Sequence, residues 1–367
     1  MTQIVKKISD YIFIAGIAAV VTASCGTQRS NNASTGKNYR VEGRVLTTDS
    51  SVRIFWPGTV LSTGFTGTTL GAKLFDESGR NSFAVIVDDS LHKVIRLLKG
   101  TNEYVLAKEL SDTKHVVKLH KLTDWFDGES QLVNFIYPAN AKPTAPKENK
   151  KWKFEFYGNS ITVGAGMFSR KDSLNWPGTA THNYYSYGAV AARRLNASAR
   201  FIASSGIGLM VSWGNLIMPD IYNLTNPADS SSTWDFSSYQ PDVVVINLMQ
   251  NDHSLIGDKE NAQFIRRFGN EAPSADTIIQ RYADFVSKIR THYPNAYILC
   301  CLGSMGAVRP GSPFPGYIQK AVTLLNDSRI GTHFFKPIKS NDHPNRFEHE
   351  EMADELVAAL EKILGKN

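Results

Sequence analysis

Four short loops carry residue types that together could run acyl transfer. Gly158-Asn159-Ser160 follows the run Phe154 to Tyr157, and Ala203-Ser204-Ser205-Gly206 closes a second apolar run. Met249-Gln250-Asn251-Asp252 follows Val243 to Leu248, and Ser340-Asn341-Asp342-His343 stands just before the last helical segment. A serine hydroxyl attacks a carbonyl only when a base takes its proton and donors stabilise the oxygen that becomes negative. Ser160 as nucleophile, His343 as base, and the Gly206 backbone N–H with the Asn251 side-chain amide as donors make such a set. Taken alone, Gly158-Asn159-Ser160 reads more simply as a turn or helix cap. The three later loops are what favour chemistry.

Positioning these loops requires an α/β scaffold. Beyond Lys151, buried runs at Trp152 to Tyr157, Arg200 to Ala203, Val243 to Leu248 and Tyr297 to Leu302 read as strands. They alternate with amphipathic segments, one placing Ile278, Ile279, Tyr282, Phe285, Val286 and Ile289 three to four apart and the last repeating Met352, Leu356, Leu360 and Ile363. Such alternation predicts a parallel sheet flanked by helices, whose functional residues sit at the carboxyl ends of the strands. Residues 39–138 differ: short period-two segments such as Ser82 to Asp89, broken by Gly, Asp, Ser and Asn, predict an all-β sandwich. His115 to Lys121 alternates in the same way, so His115 reads as a strand residue with no catalytic part. Residues 139–151, rich in Pro and Lys, read as a linker, and 152–367 as the second domain.

The chain has 367 residues, enough for two cores, and its net charge of +6 is scattered with no basic stripe, which argues against a nucleic-acid partner. Lys6 and Lys7 precede the apolar segment Tyr11 to Val21, which ends in Thr22-Ala23-Ser24-Cys25. Residues 1–25 therefore read as a bacterial lipoprotein signal peptide, with Cys25 acylated and residues 26–38 a polar tether. This predicts export across the inner membrane, to the periplasm or outer membrane, with membrane contact only through the lipid. A plain signal or an uncleaved anchor is the alternative. Cys300 and Cys301, adjacent within an apolar run, read as buried free thiols, and no zinc spacing is present.

With the four loops in hand, residues 152–367 resemble the SGNH hydrolases, or GDSL-like esterases, whose blocks match as Gly158-Asn159-Ser160, Gly206, Asn251-Asp252 and His343. The segment Trp234 to Leu248 and the preceding sandwich, jelly-roll-like on this comparison, are similar to carbohydrate esterase family 2. The resemblance runs from Tyr39 to the C-terminus. It implies a serine esterase that removes O-acetyl groups from xylan, glucomannan or their oligosaccharides, with no metal or cofactor. Ser160 would be the nucleophile and His343 the base, and the Ser160 and Gly206 N–H groups with the Asn251 amide would form the oxyanion hole.

The sequence departs from the family pattern at three places. Asn159 stands where Asp usually precedes the serine, and its expected role is to hold the loop. Met249-Gln250 replaces Gly-Thr before Asn251, and a methionine takes glycine-type backbone angles only at a cost, so Asn251 could shift or the pocket narrow. Ser340 occupies the position three before the histidine, where a third triad member is common. Asp342, adjacent to His343, is only a possible orienter, which predicts a Ser-His dyad. Trp213, Met249, His253 and Phe314 are the candidate substrate-binding residues, and Tyr317 a rim residue. Trp176 and Trp234 divide between sugar stacking and core, and Asp252 reads as structural. Two other functions compete: a carbohydrate-binding protein that lost turnover through the changes at Asn159, Met249 and Ser340, or an SGNH esterase or lipase acting on other acyl esters.

Overall fold

The computed structural model describes residues 38–147, 149–168, 180–338 and 342–365. The signal segment with Cys25, nearly all of the tether, Trp176, Ser340 and Asn341 lie outside the described residues.

Ten short strands occupy the first part: β1 (Arg40–Glu42), β2 (Val45–Thr47), β3 (Val52–Ile54), β4 (Val60–Thr66), β5 (Leu70–Asp76), β6 (Ser82–Val87), β7 (Ser90–Arg96), β8 (Gly100–Ala107), β9 (Lys114–Lys121) and β10 (Ser130–Ile136). They form two antiparallel five-stranded sheets, ordered β1-β4-β9-β6-β7 and β2-β3-β10-β5-β8. The alternation that predicted them is visible in β5, where Leu70, Ala72 and Leu74 are buried and the residues between are half-exposed. These side chains meet Phe83, Val85, Val117 and Leu119 of the other sheet in one core. β6 is buried along its whole length because its second face is also covered, Ala84 and Ile86 packing on Leu122 and Tyr184. Thr144, in the segment that reads as a linker, pairs antiparallel with Gly64.

The second part is the expected parallel sheet, β11 (Trp152–Gly158), β12 (Ala197–Ala203), β13 (Val243–Asn247), β14 (Tyr297–Leu302) and β15 (Ile330–Phe334), in the order β12-β11-β13-β14-β15. Its helices are α1 (Ser160–Val163), α2 (Tyr187–Arg194), α3 (Met218–Ile221), α4 (Gln250–Ile256), α5 (Ala262–Phe268), α6 (Ala275–His292), α7 (Phe314–Leu325) and α8 (Arg346–Leu364). Residues of α6 and α7 pack on one face of the sheet, and those of α2 and α8 on the other. Cys300 and Cys301, both buried free thiols, point into opposite cores as a strand's alternation requires. The chain runs from β11 outward to β12 and then crosses to β13 on the other side of β11. That reversal opens a crevice at the carboxyl ends of β11 and β13. Ser160 and Asn251 begin just there.

The two parts share a polar seam. Arg44, 1% exposed, donates to Glu155 Oε1 at 2.9 Å, to Tyr157 Oη at 3.0 Å and to the Tyr222 carbonyl at 2.6 Å. Glu155 Oε1 also accepts from the hydroxyls of Tyr157 and Tyr293. A buried carboxylate and guanidinium are tolerated only when each is paired and further hydrogen-bonded, and this pair is. Trp234, 2% exposed, lies over the guanidinium groups of Arg44 and Arg200, which places it in the core and away from any sugar site.

Candidate active site

Ser160 is the first residue of α1, and Asn159 caps that helix, its Oδ1 accepting the Ile161 N–H at 3.1 Å. The cap is the turn reading of the motif, and it is also what aims the serine. Ser160 Oγ lies 2.7 Å from Nε2 of His343, 183 residues away. His343 stands two residues before Asn345, the N-cap of α8, whose capping box with Glu348 fixes the chain's entry to the helix.

One neighbour of the imidazole was not singled out from the sequence. Gly166 has φ +71°, and a Cβ there would stand 2.8 Å from His343 Cβ and 3.2 Å from its Cγ. The glycine pair after the serine is the signal that could have found it: a tight backbone approach in that loop needs residues without side chains. Asp342 accepts the His343 backbone N–H at 2.8 Å, while its Oδ1 is 3.4 Å from Nδ1 and its side chain is 89% exposed. That backbone N–H, more than the ring, holds the Asp342 carboxyl below the usual range. The geometry is that of a carboxylate capping its own neighbour, with weak reach to the ring.

Asn251 donates one amide hydrogen to the Ile207 carbonyl at 2.7 Å, which leaves the other for a ligand. Among the described residues, neither the Ser160 nor the Gly206 N–H enters a turn or loop hydrogen bond. Gly206 has φ +76°, and its loop is anchored by Asp252, a fully buried carboxylate that accepts the N–H groups of Leu209, Met210 and Val211. Burial holds that carboxyl above the usual range against the pull of the three donors. This is the structural role read for Asp252.

A cleft of about 520 Å³ joins Ser160, Asn251, His343, Asp342, Trp213 and His253. Trp213 is 55% exposed at its rim. His253 is half-buried, and burial lowers its imidazole below the usual range. Arg309, Met305 and Gly306 line the same cleft and were missed, since the loop after β14 carries no motif. Two expectations are corrected. Met249 does adopt the left-handed backbone, with φ 86°, but its side chain is fully buried in the core and lines nothing. Phe314 is 5% exposed and packs edge-on against His253, 5.2 Å between ring centres, so it backs the wall without facing the cleft. Neither side chain lines the cleft.

The comparisons with known proteins decide the lineage. A family model described as carbohydrate esterase 2 N-terminal matches residues 41–146. An acetylxylan esterase / glucomannan deacetylase of Cellvibrio japonicus is 30% identical over 326 residues, covering 84% of this chain and 85% of that protein. This chain is a member of carbohydrate esterase family 2. The cellulase/esterase CelE of Acetivibrio thermocellus is 32% identical over 84% of this chain, and the match spans 37% of that longer protein. A solved family two carbohydrate esterase from Clostridium thermocellum, in complex with cellohexaose, superposes with a TM-score of 0.77 at 29% identity, covering 89% of this chain and 99% of that one. The parallel-sheet domain is thus the SGNH-like part of a family 2 esterase, as its four loops indicated.

Proposed function

We propose that this family 2 esterase removes O-acetyl groups from xylan, glucomannan or their oligosaccharides through an acetyl-enzyme formed on Ser160. The observation that carries the reading is the 2.7 Å contact between Ser160 Oγ and His343 Nε2 at the floor of an open cleft. His343 takes the hydroxyl proton as Ser160 attacks the acetyl carbonyl. The negative oxygen is met by the N–H groups of Ser160 and Gly206 and by the free amide hydrogen of Asn251. Collapse breaks the bond to the sugar oxygen, which takes the proton held on His343 and leaves as the free hydroxyl, and water admitted to the same position repeats the sequence to release acetate. The exposed face of Trp213 offers a platform for a pyranose ring. The substrates named for the Cellvibrio japonicus relative support the choice of polysaccharide. We further propose that Cys25 carries a lipid that holds the exported enzyme at a membrane surface. Among the described residues no helix is long and apolar enough to cross one.

An acetate-release panel over acetylated xylan, acetylated glucomannan and long-chain acyl esters tests the assignment. Acetyl polysaccharides are expected to be the better substrates, and faster turnover of long acyl chains would replace this reading with a lipase.

A further inference from the structure

We propose that Asp124, a carboxylate supplied by the β-sandwich, is a positioning residue for the esterase reaction: it fixes the loop that presents the Gly206 N–H to the oxyanion. The proposal rests on the reading of Gly206 as an oxyanion donor. Asp124 lies three residues beyond β9 and is 1% exposed. Its Oδ1 accepts the Trp125 N–H at 2.7 Å, which caps a short turn within the sandwich. Its Oδ2 crosses the seam and accepts the N–H of Ser205, also at 2.7 Å. Ser205 immediately precedes Gly206, so fixing the Ser205 nitrogen fixes one end of the residue whose carbonyl carbon bears the Gly206 N–H.

The rest of the arrangement keeps the carboxylate from swinging. Lys121, fully buried, donates from Nζ to the carbonyls of Thr123 and Asp124, each at 2.9 Å, and the Thr123 hydroxyl donates to Asn81 Oδ1 at 2.6 Å. On the far side the Trp213 N–H donates to the Gly206 carbonyl at 3.0 Å. The donor loop is therefore held at both ends by carboxylates, Asp252 from its own domain and Asp124 from the other. A serine would cap the Trp125 turn without burying a charge. Burial raises the Asp124 carboxyl above the usual range and lowers Lys121 below its own, so the fold bears a cost at this position that the cap alone does not require. Oxyanion donors contribute most when they are fixed before the reaction begins, and a charged acceptor fixes an N–H more firmly than a neutral one.

The test compares Asp124→Ser, which keeps a cap for Trp125 but lacks the arm to Ser205, with Asp124→Asn, which keeps one acceptor oxygen. Steady-state hydrolysis of 4-nitrophenyl acetate and acetylated xylan is measured beside wild type and Ser160→Ala, with thermal unfolding of each protein. Asp124→Ser is expected to lose about 10-fold or more in kcat with KM within about twofold, and Asp124→Asn to recover part of the loss. Wild-type kcat in a folded Asp124→Ser overturns the proposal, as does a loss that only follows the folded fraction. Failure of both variants to fold also overturns it, leaving Asp124 a brace of the fold. An inactive wild type would instead bring down the esterase reading, and this proposal with it.

Discussion

Asn159 Nδ2 donates to Gln250 Oε1 at 2.6 Å, so the two departures from the family pattern beside the nucleophile and the third loop are partners. The pairing has one direction. Asn159 Oδ1 is committed to the Ile161 N–H, and Gln250 Nε2 donates to Asn247 Oδ1 and to the Gly303 carbonyl. Both residues are almost fully buried. Asn159→Asp would set a carboxylate oxygen against Gln250 Oε1 with no proton between them. The expected cost is about 1 to 3 kcal/mol in urea unfolding, with a fall in kcat, because a buried acceptor is left without a donor. Unchanged stability and activity in Asn159→Asp would show that the pairing is incidental.

Gly166 is the second site where a small change should be costly. Adding a methyl at φ +71°, 2.8 Å from His343 Cβ, must move the histidine or the loop. Gly166→Ala is expected to lower kcat by on the order of 10²-fold while the unfolding transition shifts by about 1 kcal/mol. Activity within about twofold of wild type would contradict the close approach.

Arg44 and Glu155 tie the sandwich to β11, the strand that leads into Ser160, both side chains fully buried. Arg44→Ala leaves Glu155 buried without its cation, and a loss of about 3 to 5 kcal/mol in denaturant unfolding is expected. Combining Arg44→Met with Glu155→Gln should recover much of it. A loss below about 1 kcal/mol in the single variant would mean that the seam does not brace the esterase.

Mild acid should weaken the fold. Burial lowers His120 to about 4, and His182 and His349 to about 3. In the unfolded chain each titrates near 6.5, so the unfolded state binds more protons below that pH. Their contribution is fully present above pH 6.5 and is lost as pH falls towards 4, at about 1.4 kcal/mol per histidine per pH unit. Asp124, raised by burial, opposes part of this loss, since its folded form takes the proton more readily. Urea midpoints should therefore be lower at pH 5 than at pH 7.5. Equal midpoints would contradict the burial of neutral imidazoles.

The catalytic scaffold was legible because its strands are continuous apolar runs and its long helices have clean faces. β15 escaped notice because Gly331, Thr332 and His333 of this edge strand are only half-buried, which leaves no apolar run to read. The pairing of Ser160 with His343 followed from loop order, whereas Gly166, Arg309 and Asp124 did not. Their roles depend on which loops the topology brings together, and spacing along the chain carries none of that. Met249 and Phe314 went the other way: proximity in sequence suggested a cleft lining, but the packing turns both side chains inward. Adjacency in sequence gives Asp342 poor reach to its neighbour's ring, and the 3.4 Å separation agrees with a weak role. Asp342→Ala should lower kcat by less than about 10-fold, measured beside His343→Ala, and comparable losses would make it a true third member.

The most direct test is the rate of acetate release from acetylated xylan by wild type, Ser160→Ala, His343→Ala and the double variant. Each single variant should fall by about 10³-fold or more, and the double variant no further, because the two side chains act as one unit. Undiminished hydrolysis by Ser160→Ala, or a wild type that binds the polysaccharide and releases no acetate, would contradict the account.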